Sequence, residues 1–202
     1  LDVRGRVARM GPSLDEILRK HDYPPAVSRL LGEAVILNVL FATALKMDGV
    51  RVVLQIQSNG PVSLLVADFQ APENLRGYAR FDEEAVAALP EGHTLTDIVG
   101  EGSMALTIDP GAHMRRYQGI VALKGQSLEE VALSYFTQSE QIPTFIRLAV
   151  AETLERRPGE APRRRWRGGG ISIQFLPEAS DRVVKRDLDP GDAPPGQEAA
   201  GG

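Results

Sequence analysis

An α+β fold, antiparallel sheet packed with helices, is predicted by three features of this 202-residue chain. A long apolar helical run from Pro25 to Lys46 breaks at Met47-Asp48-Gly49. Two hairpin patterns follow, turning at Asn59-Gly60-Pro61 and at Pro110-Gly111. A second helical run from Leu128 to Phe136 then leads into a last pair of strand patterns. With 43% apolar residues the chain can bury a substantial core.

In chain order, Ser13 is expected to cap a short helix that ends near His21, with Glu16 completing a capping box. Pro24-Pro25 fits the first turn of the second helix, whose apolar positions, among them Val27, Leu31, Val35 and Phe41, cover most of its circumference and predict burial. Arg51–Ser58 and Val62–Asp68 read as a hairpin, and Leu75–Phe81 as a third strand with Gly77 at a bulge or a close backbone contact. Gly102–Asp109 and Arg116–Leu123 form the second hairpin pattern. Ser127 caps the next helix with Glu130 in the capping-box position, and Pro143 lies past its end. Phe145–Leu154 and Ile171–Leu176 read as a strand pair around a basic connection. Beyond Pro177 the apolar periodicity fades, so residues 1–177 are expected to form one core domain and 178–202 a flexible linker start or tail.

Several function classes lose support at once. Without cysteine the chain has no disulfide, thiolate nucleophile or thiol switch of its own. A formal charge of -4 gives no whole-molecule attraction to nucleic acid or anionic membranes. The apolar run contains Glu33 and Asn38 and reads as too short and mixed to span a membrane, and no signal sequence opens the chain, so a soluble, cytoplasmic setting is expected. The start at Leu1 and the end in Ala-Ala-Gly-Gly point to a piece of a longer protein.

Catalytic and metal motifs are equally thin. His21, His93 and His113 lack metal-ligand spacing, and Asp82-Glu83-Glu84 reads as a solvated helix start. Gly168-Gly169-Gly170 precedes a strand, the wrong context for a phosphate cradle, and reads as a flexible hairpin element; Gly100-Glu101-Gly102 fails the dinucleotide pattern for the same reason. An enzyme site is ranked last because no nucleophile–base pair can be assembled. The best case for nucleic acid is Arg156-Arg157 with Arg163-Arg164-Arg165-Trp166-Arg167, guanidiniums on phosphates and Trp166 on a base, which would make an RNA-binding or ribosome-associated module. A solvated hairpin tip balanced by Glu152, Glu155 and Glu160 is the favoured reading of that stretch.

A family resemblance supplies more. His21-Asp22-Tyr23-Pro24-Pro25-Ala26-Val27, Leu31-Gly32-Glu33-Ala34 and Ala44-Leu45-Lys46-Met47-Asp48-Gly49 resemble the bacterial heat shock protein 33 family of redox-regulated holdase chaperones. Asn59-Gly60-Pro61-Val62, Leu75-Arg76-Gly77-Tyr78-Ala79-Arg80, Arg116-Tyr117-Gln118-Gly119-Ile120-Val121 and Tyr135-Phe136-Thr137-Gln138-Ser139-Glu140-Gln141-Ile142-Pro143-Thr144 follow in the family's order, so the likeness runs from about Val3 to Pro177. The resemblance implies a strongly curved antiparallel sheet packed with helices. It implies an ATP-independent, non-enzymatic chaperone that holds unfolding clients under oxidative and heat stress, and a homodimer. In the family a linker and a C-terminal domain with four cysteines follow this core, binding zinc when reduced and forming disulfides when oxidised; zinc is therefore expected only there, with no cofactor in this chain. The client-binding candidates are outward residues of the long helix around Val35, Val39 and Phe41, and the outer face of the first hairpin, with core or dimer contact an equal alternative for each.

Overall fold

The computed structural model describes residues 2–45, 49–111, 115–139, 143–156, 159 and 161–176. Its elements run β1 (Asp2–Met10), α1 (Pro12–Arg19), α2 (Pro25–Ala44), β2 (Arg51–Ser58), β3 (Val62–Gln70), β4 (Asn74–Phe81), α3 (Glu83–Ala87), α4 (Leu95–Val99), β5 (Gly102–Asp109), β6 (Tyr117–Ala122), α5 (Leu128–Ser139), β7 (Thr144–Glu155) and β8 (Arg163–Leu176). They form two antiparallel sheets, a five-stranded one in the order β4-β3-β2-β5-β6 and a three-stranded one in the order β1-β8-β7. The α+β expectation and both hairpins hold. The stretch 178–202 expected as linker or tail lies outside the described residues, as do Lys46–Asp48, His113, Gln141 and Ile142, Arg157 and Glu160.

The long helix is the hub. Pro24 and Pro25 open α2, and along its length it meets both sheets, which leaves Val27, Leu31, Ala34, Val35 and Ile36 fully buried. At 20 residues it is long and apolar enough to cross a membrane by length and composition, which corrects the expectation drawn from Glu33 and Asn38. Here its apolar surface is instead covered by protein, as in a core helix. Asn38 is buried on the sheet side and its amide donates to the carbonyls of Val52 (2.9 Å) and Ala67 (3.0 Å), tying helix to hairpin.

Local chemistry refines the expectation in several places. Gly11 rather than Ser13 caps α1, because Pro12 takes the first helical position to which its ring is pre-set. Ser127 does accept from the Glu130 amide (3.3 Å), but the Glu130 carboxylate reaches back to Gln126 N–H (2.8 Å), one residue beyond a standard box. The glycine run belongs to the β7–β8 hairpin, as expected, but as paired strand: Gly168 and Gly170 sit inside β8, where an added Cβ would stand 2.6 Å and 2.8 Å from Ile36 side-chain atoms. Small residues there let α2 press directly on the sheet. Gly77 serves the same end on β4, since a Cβ would lie 2.8 Å from Ile17 and 3.3 Å from both Leu31 and Val35; the bulge lies instead between Val62 and Leu64 of β3.

Candidate client-binding surface

The helix residues expected to face clients lie inward. Val35 has no exposed surface, and Phe41 is buried with its ring stacked on Phe136 at 5.0 Å and edge-on to Tyr135 at 5.8 Å. Val39 is partly buried against the same core. α2 lies between the two sheets, so at Val35 and Phe41 the core alternative holds rather than the outward one, and Val39 is only partly covered. The outer face of the first hairpin is mixed: Val66 lies between Gln55 and the exposed Tyr78, while Arg51 grips Asp68 through paired bonds of 2.8 and 2.7 Å.

Among the described residues, Val3, Val7, Phe145 and Phe175 expose apolar surface on the outer side of the three-stranded sheet, while Tyr78, Tyr117 and Ile120 do so on the five-stranded one. Strand alternation places Ile146, Leu148 and Val150 toward α2, so the odd-numbered residues of β7 point away. In register, Val3 pairs with Phe175, Gly5 and Phe145 flank Ile173, and Val7 and Arg147 flank Ile171. Val7 is 77% exposed, Val3 54%, and Phe145 and Phe175 39% each. Arg147 lies over the Phe145 ring at 4.6 Å, a cation beside the apolar surface that keeps it hydrated without covering it. The strand β1 is hard to read from sequence because its valines alternate with Arg4 and Arg6, Arg9 breaks the apolar side of the alternation, and its partner strand lies near the other end of the described chain. The alternation Val3-x-Gly5-x-Val7 was the available signal.

The arginine stretch is committed elsewhere. Arg163–Arg167 lie within β8 rather than at a hairpin tip, which corrects that expectation. Arg164 binds Glu152 at 2.8 Å, and Arg167 binds Glu155 across the ladder. Arg165 donates to Asp15 Oδ2 at 2.8 Å while the Trp166 amide donates to Asp15 Oδ1 at 2.8 Å. Trp166 itself is 7% exposed, so it cannot stack on a base. Burial works against the Asp15 charge, but the Arg165 and Trp166 donors and the nearby Arg19 outweigh it and hold the carboxyl below its usual range. Asp15 thereby pins α1 to β8.

The remaining polar candidates have structural partners. His21 meets the rings of Tyr23 and Tyr78, and Asp82 caps α3 by accepting from Ala85 N–H at 2.9 Å. Glu33 faces a cleft shared with Arg29, His93 and Glu129, where burial first and Glu129 second push its carboxyl up to about 7 against the pull of Arg29. Having no cysteine, these residues do not fit the zinc of the family's cysteine domain. Among the described residues no group of three or more His, Cys, Asp or Glu is placed to hold a metal ion.

Residues 1–190 match the protein family described as Hsp33 protein. A protein of Caulobacter vibrioides strain NA1000 named 33 kDa chaperonin is 45% identical over 179 residues, covering 87% of this chain and 57% of its own length. Another so named, from Shewanella loihica, is 41% identical over 165 residues, 79% of this chain and 56% of its own. The chain thus spans little more than half the length of the curated relatives it matches. In fold it is similar to the crystal structure of the 33 kDa chaperonin from Thermotoga maritima, with a TM-score of 0.66 at 24% identity, over 85% of this chain and 56% of that one.

Proposed function

The chain belongs to the Hsp33 family, and we propose that it is the client-holding core of an ATP-independent, non-catalytic chaperone that binds unfolding proteins under oxidative and heat stress. The observation that carries the reading is the outer face of β1-β8-β7, where Val3, Val7, Phe145 and Phe175 stand exposed around Ile171 and Ile173. Each ~100 Å² of apolar surface covered there gives about 2.5 kcal/mol before ordering costs. Contacts of that size are reversible and make or break no bond, so holding needs no nucleotide. Val35, Val39 and Phe41 enter this reading only in a state in which α2 has parted from its sheets; in the closed state the outer face acts alone.

The wider activity follows the resemblance. Redox control and zinc belong to the cysteine domain of the family, and a chain without cysteine carries the holding function without that control. Self-association as a homodimer is part of the same proposal; β1 lies at an edge of its sheet, where backbone groups can pair with another chain. A cytoplasmic setting is part of the same proposal.

The test is the paired change Val7→Ser and Phe145→Ser, assayed by the light scattering of an unfolded client. Both positions are exposed, so thermal stability should hold while the amount of chain needed for half-suppression rises about fivefold. Undiminished suppression by the stable double variant would remove the outer face from the account.

A further inference from the structure

An apolar cavity of about 170 Å³ lies between the two sheets and was not foreseen from the sequence. Its walls are Leu37 and Phe41 of α2, Leu106 of β5, Tyr135 and Phe136 of α5, and Ile146 of β7. Arg4, Ser172 and Gln174 also line it. These three share the inner face of β1 and β8, where Arg4 is paired with Gln174 and Arg6 with Ser172. Leu106, Tyr135 and Ile146 are buried whereas Arg4 is exposed, so the polar group stands at the open end.

Two properties define what would fit. In size the cavity is close to the ~150 Å³ dry, apolar-walled space known to accept benzene, which corresponds to one ring or a short alkyl chain. In charge, Arg51, Arg116, Arg164, Arg165 and Arg167 all hold carboxylates of the chain itself. Arg4 has no hydrogen-bond or ion-pair partner among the described residues. A planar guanidinium above an apolar cavity, with a hydroxyl and an amide beside it, is suited to a carboxylate joined to an apolar body.

We infer that this cavity binds a small amphiphilic carboxylate, its ring or chain among Phe41, Leu106 and Tyr135 and its carboxylate on Arg4. The walls belong to α2, α5 and both sheets, so the bound molecule bridges the two sheets. The inference does not rest on the chaperone reading.

Calorimetric titration of the whole chain with 3-phenylpropionate and with the uncharged 3-phenylpropan-1-ol tests it. The acid should bind about tenfold more tightly than the alcohol. Arg4→Gln should erase that preference while leaving the alcohol unchanged, and Ala44→Leu, at a position of α2 that also lines the cavity, should fill it and abolish both. Thermal melts identify any variant that fails to fold; Arg4 is exposed, so its arm remains decisive if the leucine is not tolerated. Equal affinity for acid and alcohol, a preference that survives Arg4→Gln, or no binding to the parent chain would overturn the site.

Discussion

Asp15 and Glu33 are carboxylates with opposite consequences for pH dependence. Asp15 is held charged by Arg165, Trp166 N–H and Arg19, so its stabilisation is present above its ordinary value near 3.8 and is lost as pH falls through the lowered folded value. Asp15→Asn should therefore cost about 2–3 kcal/mol at pH 7 and progressively less in acid, measured as urea midpoints. Glu33 behaves in the reverse sense, because the folded chain binds its proton more tightly than the unfolded chain. Stability falls as pH rises from the ordinary value of 4.5 to about 7. The groups that face Glu33 are Arg29 on its own helix, His93 before α4 and Glu129 on α5. Glu129 is meanwhile engaged by the Leu148 amide at 3.0 Å, so it cannot turn away. Glu33→Gln should raise stability by about 3 kcal/mol at pH 8, by progressively less as pH falls, and leave it unchanged only well below the ordinary value of 4.5. Parallel pH curves for the two proteins would contradict that account.

At the scale of elements, the close approach of α2 to β8 depends on residues too small to hold it apart. A Cβ at Gly170 would stand 2.8 Å from Ile36 and 2.9 Å from Leu148, so Gly170→Val should destabilise by about 2–3 kcal/mol, seen as a lowered thermal midpoint. The elements that could be read from sequence were those whose pattern and punctuation agree: α2 behind its two prolines, and β2 and β3 around Asn59-Gly60. β1 escaped because arginines occupy its alternate positions and its pairing is non-local. α4 escaped although Thr94 and Asp97 form a capping box, because the helix is only five residues long. The exposed face and the cavity were beyond the sequence reading for one reason: both depend on how β1 docks on β8, and no short-range pattern encodes that register. The family likeness pointed to a client-binding role, but the residues first proposed for it lie in the core.

As a whole molecule, the chain is two antiparallel sheets joined by one buried helix, with an outward apolar face that its own described residues leave uncovered. On the proposed reading, holding by that face should proceed without nucleotide and, in a chain without cysteine, should not respond to thiol chemistry. The most direct measurement is light scattering from a chemically unfolded client diluted into buffer containing this chain, without nucleotide, comparing reduced with peroxide-treated samples. Equal suppression of aggregation in both is the predicted result. Absence of suppression in either, or suppression that appears only after peroxide, would contradict the assignment of the holding surface to this chain.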